Sequence, residues 1–187
     1  MSFALKSEQV VNELSRIRIV PVLVLNDVES GLKMCEILVE CGLPAAEITF
    51  RTQAAEAIIK EAAKRFPDLY LGAGTILNVH DLKRAFDAGA KFAVAPGFNP
   101  TVVRAAVESD FAFAPGVCTP SEVEQAHELG CKFLKFFPAE AAGGVNDGLG
   151  VDRVGAVLLV RDLDARDLAV LHEDLRGLRV HAHVDLA

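Results

Sequence analysis

One pattern restricts this chain more than any other: six short β-rich apolar segments alternate with five helical stretches. The expected strands are Ile19–Leu25, Ala45–Phe50, Leu69–Thr75, Phe92–Pro96, Phe111–Pro115 and Cys131–Pro138. The expected helices between them are Val28–Cys41, Gln53–Phe66, Val79–Ala88, Pro100–Ser109 and Pro120–Leu129. The segment starts recur about every 20–26 residues, room for a strand, a helix and two short loops. Asn99-Pro100 and Thr119-Pro120 each put a capping side chain before a proline at the first helical position. Gly42, Gly89 and Gly130 fall where a helix ends in a left-handed residue. Consecutive βα units with short connections imply parallel strands and right-handed crossovers. The closed form is an (α/β)₈, TIM-type barrel, and an open doubly wound sheet is the other arrangement.

Eight units need more chain than six. The sequence has 187 residues, whereas such barrels usually take about 200–250. Composition also changes along it. No Lys, Pro, Phe, Ile, Ser or Thr follows Asn146, although the whole chain holds 8 prolines and 11 phenylalanines. Residues 146–187 are therefore set apart as an atypical C-terminal segment, either frameshifted or divergent. Within it, Val154–Val160 and Leu178–Val184 are candidate strands, with a helix over Asp164–Leu175. The last two βα units are expected to be truncated or replaced.

The formal net charge of −7 argues against a nucleic-acid partner, which calls for clustered Lys and Arg. No apolar run is long enough to span a membrane, and Met1–Val11 lacks the features of a secretory signal. Cys35, Cys41, Cys118 and Cys131 show neither CxxC nor zinc-ligand spacing and read as reduced, buried thiols of a cytoplasmic protein.

In a parallel α/β sheet the chemistry gathers at the C-terminal strand ends. On the sixth strand Phe133, Lys135 and Phe137 share one face, and Lys135 is the one charge in the run from Phe133 to Phe137. A buried lysine is costly unless paired or neutral, and the neutral amine is a nucleophile. Lys135 is thus either a Schiff-base lysine or a snorkelling one; Lys132, at the strand entrance, is expected to be solvated. On the second strand Glu47, Thr49 and Arg51 share a face, opposite Ala46, Ile48 and Phe50. The polar set should point into the barrel. Glu47 and Arg51 form either a buried ion pair or a working pair. In the working pair Arg51 grips a substrate carboxylate and Glu47 moves protons. In Gly72-Ala-Gly-Thr75 the small residues permit close backbone approach, and Thr75 offers a hydroxyl and a helix cap. Pro96-Gly97 shapes a loop.

The ordered set Glu47-Ile-Thr-Phe-Arg51-Thr, Gly72-Ala-Gly-Thr75, Pro96-Gly97, Pro115-Gly-Val-Cys-Thr119 and Lys135-Phe-Phe-Pro-Ala-Glu140 resembles the 2-keto-3-deoxy-6-phosphogluconate (KDPG) and 4-hydroxy-2-oxoglutarate (KHG) aldolases. The likeness covers about residues 8–145, leaving 1–145 as the aldolase part. It implies a class I, metal-independent lyase on an (α/β)₈ barrel. It also implies a cytoplasmic homotrimer of the Entner–Doudoroff pathway, with a small 2-keto acid as substrate and no cofactor, nucleic acid or membrane. Lys135 then resembles the Schiff-base lysine and Glu47 the general acid/base. Arg51 and Thr75 resemble contacts to the pyruvate carboxylate, and Pro96 and Phe137 residues around the imine. The family's glycine-rich loops after the seventh and eighth strands, which cradle phosphate, have no counterpart after Val145. A catalytically impaired relative that retains 2-keto acid binding or an assembly role is the alternative. Gly143-Gly144 and the pair His181 and His183 match no phosphate loop or complete metal site.

Overall fold

The computed structural model describes residues 2–138. The candidate elements at 154–160, 164–175 and 178–184 lie outside the described residues, as do Glu140, the 143–144 glycines and the histidine pair.

The cadence folds in the order it reads, with the first and sixth strands shortened to Val22–Leu23 and Lys135–Phe136. Strands β1 (Val22–Leu23), β2 (Ala45–Thr49), β3 (Tyr70–Gly74), β4 (Phe92–Val94) and β5 (Phe113–Ala114) pair in that order, all parallel. A further parallel pair joins β6 (Gly116–Val117) to β7 (Lys135–Phe136). Helices α2 (Val28–Glu40), α3 (Ala55–Arg65), α4 (Val79–Asp87), α5 (Pro100–Glu108) and α6 (Pro120–Glu128) follow the expected helices to within two residues at each end. Their ends carry the anticipated chemistry. Asn99 accepts from the Thr101 N–H, and Thr119 with Glu122 forms a reciprocal capping box. Gly42, Gly89 and Gly130 take φ of +73°, +95° and +90°.

Three features depart from the sequence reading. The expected fifth strand ends at Pro115, which lacks an N–H, but the extended segment runs on beyond it. The part before Pro115, β5, pairs with β4, and the part after it, β6, pairs with β7. The break lets one extended segment turn between two neighbours, and the Pro115 carbonyl still accepts from the Lys135 N–H at 3.0 Å. Thr75 does not cap the next helix; Asn78 does, accepting from the Asp81 N–H. The cysteines are all free, but only Cys35 and Cys131 are buried, their thiols pushed up by burial to about 11 and about 12, whereas Cys41 and Cys118 are exposed.

Outside the strand–helix repeat the chain opens with a further helix, α1 (Phe3–Ile17). Its buried positions, Phe3, Ser7, Val10, Val11 and Leu14, keep a helical period. The helix has a definite task. Alternation along β4, the 111–114 segment and the approach to β7 divides the apolar residues between two clusters. Ala93, Ala95, Phe111, Phe113 and Leu134 pack among the outer helices. Phe92, Val94, Ala112, Ala114 and Phe133 form an inner cluster, closed by Val10, Val11 and Leu14 of α1. Rings knit this interior: Tyr70 stacks on Phe92 at 5.9 Å, and Phe92 meets Phe133 edge-on at 6.2 Å. Helix α1 is a plug for the arc of strands, and Leu14, 2% exposed, sits where the plug meets the sheet interior. Leu14→Ala is expected to lower the unfolding free energy by about 2–5 kcal/mol, read from urea denaturation against the parent chain.

Candidate active site

Four side chains gather at the C-terminal strand ends, and strand alternation delivers them. On β2, Ala46 and Ile48 join the outer core while Glu47 turns inward and is 1% exposed. Across the arc Lys135, 6% exposed, turns inward from β7. Its Nζ lies 3.5 Å from Glu47 Oε1 and 5.3 Å from the centroid of the Phe137 ring. The pair joins a strand near the start of the arc to its last described strand. Lys132 is exposed, as expected for the entrance of its segment.

Glu47 is held by what β3 lacks. In register it faces Gly72, and its carboxylate leans over Gly74. A Cβ built on Gly74 would collide with Glu47 Oε1, and its three nearest atoms would all belong to Glu47. A Cβ on Gly72 would run into the Phe92 ring. The small residues of this strand therefore admit side chains of neighbouring strands, rather than serving only close backbone approach. Thr49, fully buried, is spent on structure: its Oγ1 donates to the Leu23 carbonyl at 3.0 Å, tying β2 to β1.

Burial pushes the Glu47 carboxyl above its ordinary range; Lys135, and more weakly Arg51, pull it back. Oε1 faces the lysine, whereas Oε2 is buried with no hydrogen-bond partner among the described residues. A buried acceptor left open in this way is ready for a proton or a donor from a bound molecule. Among the described residues the ion-pair partner of Glu47 is Lys135, and Arg51 acts on Glu47 only electrostatically. Arg51 is exposed past the end of β2, and its Nε donates to Thr75 Oγ1 at 3.2 Å. Thr75 itself has φ +61°, a left-handed conformation that a β-branched residue rarely adopts. Pro96 follows β4 at the same end, and its carbonyl group abuts the Cα of Gly116, the residue in register with Lys135. The six residues singled out in the sequence thus stand at one end of the strands. Direct contacts join Glu47 to Lys135, Lys135 to Phe137 and Arg51 to Thr75, while Pro96 reaches them through Gly116. Gly74 is the one whose role the sequence left open. No cluster of three or more His, Cys, Asp or Glu able to hold a metal occurs among the described residues.

A buried amine beside a buried carboxyl, with a guanidinium at the rim, is a set able to form and turn over an imine of a keto acid. The family model for KDPG and KHG aldolases matches residues 10–148, which span every one of these groups. The chain belongs to the KDPG and KHG aldolase family. A 2-dehydro-3-deoxy-phosphogluconate aldolase of Haemophilus influenzae is 40% identical over 139 residues, 74% of this chain and 66% of that protein. The chain spans no more than two thirds of the length of the curated aldolases it matches. Among solved structures, the KDPG aldolase of Zymomonas mobilis ZM4 with 3-phosphoglycerate superposes with a TM-score of 0.68 at 32% identity, covering 89% of this chain and 70% of that one. The KDPG aldolase of Legionella pneumophila, with pyruvate captured as a covalent carbinolamine, gives 0.68 at 29% identity, covering 86% and 77%. The aldolase fold of these neighbours is the TIM-barrel type of α/β architecture expected from the cadence. Among the described residues no helix is long and apolar enough to cross a membrane.

Two outcomes follow from how this aldolase-family site is packed. Gly74→Ala should cost about 1–3 kcal/mol of unfolding free energy through the clash with Glu47. Adding Glu47→Asp, which withdraws the carboxylate, should restore part of that loss, a coupling read from urea denaturation of the two single variants and the double. The second outcome concerns pH. The folded carboxyl of Glu47 lies above its ordinary value of 4.5, so its protonation favours the folded state. That contribution is complete below 4.5 and is lost as pH rises through the folded value. The stability of the parent chain relative to Glu47→Gln should therefore fall as pH is raised across that window, measured by unfolding at stepped pH.

Proposed function

We propose that this chain is a class I Schiff-base aldolase that cleaves 2-dehydro-3-deoxy-6-phosphogluconate to pyruvate and glyceraldehyde 3-phosphate. The same chemistry extends to 4-hydroxy-2-oxoglutarate, giving pyruvate and glyoxylate. The observation that carries this reading is the buried Lys135 Nζ at 3.5 Å from a Glu47 carboxyl raised by burial. The captured pyruvate carbinolamine of the Legionella relative supports it.

The roles follow from position. The Lys135 amine adds to the keto carbon, and the keto oxygen becomes the carbinolamine hydroxyl. Glu47, carrying a proton, protonates that hydroxyl, which leaves as water and yields the protonated imine. Glu47, now ionised, takes the proton of the substrate's C4 hydroxyl. The C3–C4 bond then breaks, its electron pair flows into the imine, and the aldehyde departs. The enamine that remains recovers a proton at C3, and water returns to release pyruvate and the free amine. Arg51, its Nε on Thr75 Oγ1, presents its terminal nitrogens to the 2-keto acid carboxylate, with Thr75 beside it. Phe137 and Pro96 wall the imine.

The assembled Lys135, Glu47, Arg51 and Thr75 favour a working lyase over an impaired relative that only binds 2-keto acids. The same reading takes residues 1–145 as the aldolase part and 146–187 as a segment of different origin. The family resemblance supports a cytoplasmic homotrimer of the Entner–Doudoroff pathway that needs neither metal nor cofactor.

Incubation with pyruvate and borohydride should fix one pyruvate on Lys135, located by peptide mass spectrometry. Lys135→Met should abolish both the adduct and the release of pyruvate from the phosphorylated substrate. An adduct on another lysine, or full lyase activity in Lys135→Met, would overturn the assignment.

A further inference from the structure

The chemistry described above uses no residue of α4, yet α4 carries a cation with an unusual set of neighbours. Arg84 reaches across to α3, where its Nε meets Glu56 Oε2 at 2.7 Å, and back within α4, where Nη1 meets Asp81 Oδ1 at 2.9 Å. Its guanidinium also lies 5.2 Å from the centroid of the Phe50 ring. Glu56 and Asp81 both belong to first helical turns. In βα units the helix N-termini lie at the C-terminal strand ends, so this cluster sits at the catalytic end, on the outer side of the sheet. The guanidinium has two carboxylates as partners and is thereby occupied, so it is no anion-binding site. Its third neighbour carries the consequence. Phe50 packs on the outer core, its N–H donates to the Gly74 carbonyl at 2.8 Å, and it directly precedes Arg51.

We propose that Arg84 is a positioning residue for Arg51. Its guanidinium, fixed between Glu56 and Asp81, covers the Phe50 ring from outside and so fixes the direction in which the 50–54 turn presents Arg51 to the mouth of the site. On the inner side Arg51 has a single hydrogen bond among the described residues, to Thr75 at 3.2 Å. That one contact leaves the long side chain free to swing unless its backbone is held. The clamp supplies the backbone constraint and the Thr75 hydroxyl the last orientation. This role rests on the proposed grip of Arg51 on a 2-keto acid carboxylate, and it predicts that damage to the clamp weakens that grip without touching the imine chemistry at Lys135 and Glu47.

The test is the initial rate of borohydride trapping by the full chain as a function of pyruvate concentration, which separates half-saturation from the limiting rate. Arg84→Met should raise the half-saturating pyruvate concentration by about two- to fivefold, the scale of one partly exposed cation–aromatic contact, with the limiting rate unchanged. Arg84→Lys, which keeps a cation over the ring, should recover part of the shift. Phe50→Leu should produce a shift of the same kind, and Arg84→Met/Phe50→Leu should shift no further than the larger single variant, because both remove one contact. A half-saturation that stays put in Arg84→Met, equal losses in limiting rate and half-saturation, or additive shifts in the double variant would each overturn the positioning role while leaving the Schiff-base reading intact. Failure of the parent chain to trap pyruvate at all would overturn that reading and, with it, the clamp.

Discussion

The rest of the structure depends on two charges taken out of water. Desolvating a carboxylate or an ammonium costs several kcal/mol each, and their mutual attraction returns that only when the geometry is good. Here Glu47 and Lys135 stand 3.5 Å apart, both nearly without solvent contact, and one carboxylate oxygen has no hydrogen-bond partner among the described residues. Such an arrangement is poor at stabilising a fold. An apolar pair of similar volume would pack there at lower cost. Retaining the charges makes sense if a reaction uses them, and an imine cycle uses both: the amine as nucleophile, the carboxyl as the proton carrier beside it.

Much of the surrounding scaffold meets the demands of that pair. The carboxylate needs space over β3, and Gly74 provides it; the Phe92 ring needs space one position earlier on the same face, and Gly72 provides that. Lys135 needs a strand that reaches it from the first five, and the break at Pro115 supplies one segment paired to both neighbours. Below the site, the aromatic stack of Tyr70, Phe92 and Phe133 and the plug helix α1 fill the interior with apolar matter. That filling is apolar, and burial is what raises the carboxyl of Glu47. Outside, Arg84 and Glu56 tie α4 to α3 at the level of the turn that carries Arg51.

Much of this was legible along the chain. Period-2 alternation put Glu47 on the inward face and Lys135 on one face with Phe133 and Phe137, and the helix ends at Asn99, Thr119 and the three left-handed glycines were marked by residue type alone. What escaped did so for identifiable reasons. Helix α1 has an ordinary amphipathic period but precedes β1, outside the strand-then-helix repeat. The split at Pro115 is a choice between two partners that no local propensity expresses. Threonine favours a cap position, but Thr75 sits instead in a left-handed backbone next to Arg51. Two cysteines expected to be buried are exposed, since Cys41 ends a helix and Cys118 follows a short strand.

The sequence alone determined most of the elements, their order and parallel sense, and the residue types gathered at one end of the strands. These depend on periodicity and on caps, which are properties of neighbours in the chain. The tertiary structure decided which charge pairs with which. From sequence, Glu47 could have paired with Arg51, two positions away on the same strand face. In the folded chain the curvature of the arc brings Lys135 to it from 88 residues further along, and leaves Arg51 exposed at the rim. Partner choice is set by sheet curvature and by the space left over Gly74, and neither quantity exists until distant strands have been brought together.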